Sequence, residues 1–119
     1  MKSKSDIQEL TDIIIKHRDK RNWKQFHNAK DLAVALSLET SEVLEHFLWK
    51  TKEEMDEHLI KHKKEVGEEL SDSLYWILLI AHDFNIDIKK AFKAKMRKNE
   101  KKYPVRKAKG KHLKYTNYQ

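Results

Sequence analysis

Apolar residues recur at helical spacing along most of the chain. The first such pattern predicts a helix from about Asp6 to Arg21, with Ser5 at the capping position before it. A second pattern predicts a helix that is capped by Asn28 and continues to Lys50. The apolar positions of this second helix are Leu32, Ala35, Leu36, Val43 and Phe47.

The second half of the chain continues the helical pattern. Thr51 and Glu54 have the spacing of a capping box. The chain from there to Phe84, with a polar stretch at Lys61–Glu65 and an apolar run from Val66, is predicted to form one bent helix or two. A last helix is predicted from Asp87 to about Lys101, before Tyr103-Pro104 ends it. Four main helices with short links predict an all-α fold, with an antiparallel four-helix bundle as the simplest architecture.

Composition narrows the fold class further. The 119 residues include two glycines, one proline and no cysteine, which disfavours turn-rich β folds, glycine-rich phosphate loops and disulfide frameworks. We expect one domain over residues 1–119, with 103–119 as a basic extended tail. Only 39% of residues are hydrophobic, so we expect a thin core and an oligomer. No apolar run is long enough for a membrane span and the start lacks a secretory signal, so we expect a cytoplasmic protein without a membrane partner.

Charge is distributed unevenly along the chain. Residues 1–88 hold 13 lysines and arginines against 18 acidic residues, whereas residues 89–119 hold 13 against one. The basic end, which contains Tyr103, Tyr115 and Tyr118, suits phosphate groups and base stacking, although a solvated tail explains it equally well. Because the body is acidic, we consider nucleic acid an unlikely partner.

Two pairs of acidic residues lie on or beside apolar helical faces. Glu39 and Glu42 are three residues apart in the second helix, and Glu69 and Asp72 are three apart in a later one, on the face of Trp76. Carboxylates that converge between two helices need lysine or arginine partners, protons, or a divalent cation, and such oxygen ligands favour Mg²⁺ or Mn²⁺. Ordinary solvated helix charge remains open as an alternative.

Three stretches of the chain resemble a known family when they are taken in order. They are RDKRNWKQFHNAKDLAVALSLETSEVLEHFLWK, EVGEELSDSLYWILLIA and KMRKNEKKYPVRKAKGKHLKYTNY, and the likeness spans about residues 18–118. Together they resemble the compact branch of the MazG-like all-α nucleoside triphosphate pyrophosphohydrolases. The resemblance implies Mg²⁺-dependent cleavage of a nucleoside or deoxynucleoside triphosphate to the monophosphate and pyrophosphate, in a homodimer or homotetramer.

The resemblance also implies roles for individual residues. It implies metal ligands at Glu39, Glu42, Glu69 and Asp72, a base and sugar segment at Trp23, Lys24, Gln25, Phe26 and His27, and an aromatic base contact at Trp49. Trp76 stands where dCTP-cleaving members carry a substrate-contacting tyrosine, and Ile14 stands where they can carry a histidine. Neighbouring Tyr75 points about 100° away on a helix and is not expected to replace that tyrosine. The preferred base is therefore left open.

Chemistry suggests three further site residues. Lys95 and Asn99 are four residues apart on the last predicted helix and suit phosphate contact. The attacking water needs a base, and Glu45 lies three residues beyond Glu42 on nearly the same face, with Glu39 as the alternative base.

Other functions compete with hydrolysis at this stage. The alternative function is a basic-tailed helical module that binds nucleic acid, and a purely structural helical adaptor is a third reading. His58 and His62 have zinc-ligand spacing, but HLIKH lacks the glutamate of a zincin pair, and its lysine neighbours favour a solvated face.

Overall fold

The structure is a computed structural model that describes residues 3–118. These residues form helices and no strand, which confirms the all-α class. The helices are α1 (Asp6–Lys20), α2 (Ala29–Glu45), α3 (Lys52–Lys61), α4 (Lys63–Asp83), α5 (Ile88–Lys102) and α6 (Val105–Ala108). Two 3₁₀ turns lie at Lys24–Phe26 and Tyr115–Asn117. The four-helix bundle arrangement and the oligomeric state stay predictions.

The predicted helix starts follow from local capping chemistry. Asn28 accepts a hydrogen bond from the backbone N–H of Asp31, and Asp87 accepts one from Lys90. Thr51 and Glu54 form the complete capping box. Ser5 also caps α1, although the Gln8 side chain donates to Asp12 instead of closing a capping box.

One predicted helix is shorter in the structure. Helix α2 ends at Glu45, five residues before Lys50, and Trp49 takes a left-handed backbone with φ of 64°. The stretch from Thr51 to Phe84 forms two helices, one of the two possibilities left open, because the backbone at His62 leaves helical geometry with φ of −120° between α3 and α4.

The described chain divides after Asn85 into two compact units. In the first unit, α4 packs against α1, α2 and α3. The core consists of a few buried apolar side chains: Ile14, Leu32, Val66, Leu78, Leu79 and Ala81. The second unit contains α5 and α6, so residues 103–118 include a short helix and a 3₁₀ turn.

A buried ion pair joins α1 to the last residue of α4. Arg18 of α1 is 1% exposed, and its Nη1 donates to both carboxylate oxygens of Asp83 in α4, at 2.9 and 2.7 Å. Since a buried charge without a partner costs several kcal/mol, this pair ties α1 to the end of α4.

Among the described residues, no helix has the length and apolar character that a bilayer crossing requires.

Candidate active site

Helices α2 and α4 pack together and bring three acidic side chains to one point. Carboxylate oxygens of Glu39, Glu69 and Asp72 all lie within 4.8 Å of one another. Glu39 comes from α2, and the other two come from α4 at positions three apart, which share one helical face. We call these three residues the acidic cluster.

Glu42 borders the acidic cluster without belonging to it. A hydrogen bond with Glu42 is the main reason that the pKa of Glu69 is raised to about 7, with burial and the charges of Glu42, Asp72 and Glu39 adding to the effect. Burial raises the pKa of Glu39, and the negative charges of Glu42 and Asp72 raise it further, against a smaller lowering by a hydrogen bond from Trp76. The neighbouring carboxylates therefore disfavour ionisation of Glu39 and Glu69.

The acidic cluster contains acceptors that are not used by the protein. The Oε2 atoms of Glu39 and Glu69 are buried and accept no hydrogen bond within the described residues. No lysine or arginine in residues 3–118 forms an ion pair with any of the three carboxylates. Buried carboxylate oxygens of this kind require a proton or a cation, and they are the ligands that Mg²⁺ prefers.

A cavity of about 390 Å³ opens beside the acidic cluster. Its walls are apolar and aromatic, apart from the carboxylates at one side. The lining residues are Ile13, Ile14, His17, Trp23, Glu39, Asp72, Tyr75 and Trp76. A flat aromatic pocket with acidic groups at its edge suits a nucleobase next to a metal-bound phosphate chain.

The predicted base and sugar segment is split between two places. Trp23 lines the cavity beside the acidic cluster, whereas Lys24 and His27 line a neighbouring cavity of about 380 Å³. His27 touches Arg18 at 3.5 Å and packs edge-on against Trp76, and burial, then the Arg18 charge, lowers the pKa of its imidazole. Gln25 donates to the backbone oxygen of Asn22, and Phe26 is exposed. These last two side chains do not line the cavity beside the acidic cluster.

Other predicted site residues lie outside the cavity. Trp49 is 91% exposed in the link between α2 and α3. Glu45 is exposed at the last position of α2. Lys95 and Asn99 lie on α5, which belongs to the second unit and is described by itself.

Sequence reasoning missed three residues of the cavity wall: Ile13, His17 and Tyr75. His17 packs edge-on against both Trp23 and Tyr75, and the Tyr75 hydroxyl lies 3.5 Å from its Nδ1. The signal for His17 was an imidazole in the apolar stripe of the first helix. Tyr75 was not expected to take the place of a tyrosine at position 76. It nevertheless lines the same cavity as Trp76.

Comparisons with known proteins agree with this arrangement. The model of the MazG-like family matches residues 34–117. Bovine dCTP pyrophosphatase 1 is 31% identical over 116 residues, which cover 96% of this chain and 69% of the relative. Rat dCTP pyrophosphatase 1 is 36% identical over 98 residues, which cover 81% of this chain and 58% of the relative.

One solved structure matches this chain over nearly the whole length of the solved protein. A pyrophosphatase from Archaeoglobus fulgidus is 40% identical with a TM-score of 0.81, and the alignment covers 87% of this chain and 97% of that one. The helical fold, the acidic cluster and these matches define a nucleoside triphosphate pyrophosphatase. The chain belongs to the MazG-like family.

Proposed function

We propose that this chain hydrolyses a nucleoside or deoxynucleoside triphosphate between its α and β phosphates and releases the monophosphate and pyrophosphate. Cleaning of the nucleotide pool in the cytoplasm is the role that we assign to this reaction. The observation that supports the proposal best is the pair of unused, buried carboxylate oxygens on Glu39 and Glu69 beside an aromatic cavity.

The proposed metal ligands are Glu39, Glu69 and Asp72, with Glu42 as a fourth. The donor set consists of carboxylates alone, which suits Mg²⁺ or Mn²⁺ better than a soft metal. Bound there, Mg²⁺ supplies positive charge to phosphate oxygens and lowers the pKa of a bound water. The raised pKa of Glu69 fits a site whose carboxylates repel one another until a cation is present.

The remaining residues position the nucleotide and accept a proton. Trp23 and Trp76 offer flat surfaces to the base, and each stacking contact is worth about 1–3 kcal/mol. Glu45 accepts the proton of the attacking water in this proposal, with Glu39 as the alternative. A Glu45→Gln protein with full turnover would exclude the first choice.

Further residues are proposed as nucleotide contacts. Lys95 and Asn99 suit phosphate groups, because lysine charge offsets that of a triphosphate. Lys24, Gln25, Phe26 and His27 hold base and sugar, and Trp49 packs on the base. For Lys24 and His27 this needs an approach from their neighbouring cavity, and for Trp49 it needs closure of an exposed link.

The relatives named dCTP pyrophosphatase support a deoxycytidine nucleotide as the first substrate to try. Buried Ile14 and Trp76 both line the cavity, and neither supplies a carboxamide, hydroxyl or imidazole to the edge of a base. We therefore propose that these two positions themselves discriminate between bases less than a histidine and a tyrosine there would.

We further propose a homodimer or homotetramer. Exposed leucine, valine and isoleucine side chains on α2 and α4 provide the apolar surface for it: Val34, Leu38, Leu44, Leu70, Leu74 and Ile77. Light scattering after size exclusion measures the mass directly, and a strictly monomeric protein would contradict this part.

A substrate panel tests the reaction. Purified protein is incubated with each of the common nucleoside and deoxynucleoside triphosphates and Mg²⁺, and the products are resolved by ion exchange. Monophosphate and pyrophosphate are expected, and activity should be lost in Glu39→Gln but kept in the exposed control Glu57→Gln. Absence of pyrophosphate from every nucleotide would refute the proposal.

A further inference from the structure

Three histidines meet where α2, α3 and α4 follow one another along the chain. His46 comes directly after α2, His58 lies on α3, and His62 separates α3 from α4. The Nδ1 atom of His46 lies 2.8 Å from the Nε2 atom of His58. The rings of His58 and His62 are 4.5 Å apart between centroids. We call these three residues the histidine cluster.

A carboxylate adjoins the histidine cluster. Glu65 Oε2 lies 3.9 Å from His62 Nδ1. Imidazole nitrogens and carboxylate oxygens are both ligands that zinc accepts.

Two of the imidazole nitrogens already lie close enough to share one metal. Two nitrogens bound to one tetrahedral metal at about 2.0–2.1 Å lie roughly 3.3 Å apart, so the 2.8 Å contact between His46 and His58 has to open by about half an ångström. The three histidines do not present nitrogens that all lie within 4.8 Å of one another. The exposed side chain of His62, four residues after His58, therefore has to rotate toward the shared point.

We propose that His46, His58 and His62, with Glu65 as a fourth ligand, form a second metal site for a borderline divalent cation such as Zn²⁺. Imidazole ligands select zinc, nickel or copper, whereas Mg²⁺ demands oxygen ligands. This site is chemically distinct from the acidic cluster. The structure also argues against a purely solvated face at His58 and His62, because it adds the imidazole of His46, which directly follows α2, as a third nitrogen ligand.

Metal binding at this site would fix the link between α2 and α3. The link begins at His46 and ends at Thr51, and it carries Trp49 with its left-handed backbone and 91% exposed side chain. A cation bound to His46 and His58 would hold the start of this link against α3. The expected consequence is reduced motion of Trp49, which a change in fluorescence anisotropy would report in a protein whose Trp23 and Trp76 are replaced by Phe.

Zinc titration of untagged protein tests this proposal. ZnCl₂ is added in the calorimeter to protein in excess Mg²⁺, which competes with zinc for the acidic cluster. One zinc per chain is expected, and His58→Ala should weaken its binding by about tenfold or more, since even outer-shell partners of a metal are worth that much. His112→Ala in the second unit is the matched control and should bind like the unaltered protein.

Two further measurements keep the result unambiguous. His62→Ala changes an exposed side chain, so it should lose affinity without any loss of circular dichroism or melting temperature. Co²⁺ should give the visible absorption of a tetrahedral nitrogen and oxygen site, and that band should vanish in His58→Ala. Unaltered zinc affinity in both histidine variants, or zinc affinity lost only in Glu39→Gln, would overturn the proposal and leave the pyrophosphatase proposal intact.

Discussion

The buried pair of Arg18 and Asp83 gives the prediction with the clearest magnitude. Asp83→Asn removes the negative charge and keeps the side-chain shape, so it leaves the guanidinium of Arg18 buried without a counter-charge. Breaking one partner of a buried pair costs about 3–5 kcal/mol. Arg18 is 1% exposed and Asp83 15% exposed, and the new amide oxygen still accepts one hydrogen bond. We therefore expect the lower end, about 3 kcal/mol of the free energy of unfolding.

Urea unfolding at one fixed protein concentration measures this loss. The matched control is Asp56→Asn on α3, where Lys52 and Asp56 pair with side chains 81% and 60% exposed, so the loss should stay below about 0.5 kcal/mol. The double change Arg18→Met with Asp83→Leu should cost less than Asp83→Asn alone, because it leaves no buried charge. If Asp83→Asn destabilises no more than Asp56→Asn does, the structural role assigned to this pair is incorrect.

Four further predictions follow, three for the candidate site and one for the start of α3. Glu39→Gln should raise the melting temperature of the metal-free protein by relieving repulsion, and it should abolish stabilisation by Mg²⁺; a variant that still gains from Mg²⁺ contradicts the assigned ligand. The raised pKa of Glu69, about 7 against an ordinary 4.5, means that its contribution to metal-free stability is complete below pH 4.5 and is lost as the pH rises through 7. Melting curves of the unaltered protein and Glu69→Gln across that range should diverge with rising pH, and parallel curves would count against the shift. Trp23→Ala should raise KM roughly 5- to 150-fold if one base stacks on it, and an unchanged KM with normal folding would remove it from the base site. Thr51→Ala should cost about 1 kcal/mol in urea unfolding by removing the capping box, and no measurable loss would show that α3 does not depend on it.

Local chemistry explains why the helix starts were predictable. Asn28, Thr51 and Asp87 each cap a helix through a bond to a backbone N–H three residues later, so the relevant atoms are neighbours in sequence. Helical phase likewise placed Glu69 and Asp72 on one face of α4, because residues three apart always share a face. Their meeting with Glu39 needed only the assumption that α2 and α4 pack together.

Long-range contacts explain what the sequence did not reveal. Arg18 is a charged residue among polar neighbours, and its burial depends on Asp83, 65 residues away. The end of α2 at Glu45 carries no glycine or proline signal, since the following residues are apolar and compatible with a helix. The histidine cluster was also out of reach, because His46 lies twelve residues before His58 and the fold alone brings them together.

The packing of α4 has a consequence for how the protein loses activity. Helix α4 contacts α1, α2 and α3, and it contributes Glu69 and Asp72 to the acidic cluster as well as Leu78 and Leu79 to the core. Any fluctuation that detaches α4 separates the acidic cluster and opens the hydrophobic interior in one event. Amide protons of α4 should therefore exchange with deuterium only through complete opening of the first unit, and heat inactivation should follow that same exchange rate.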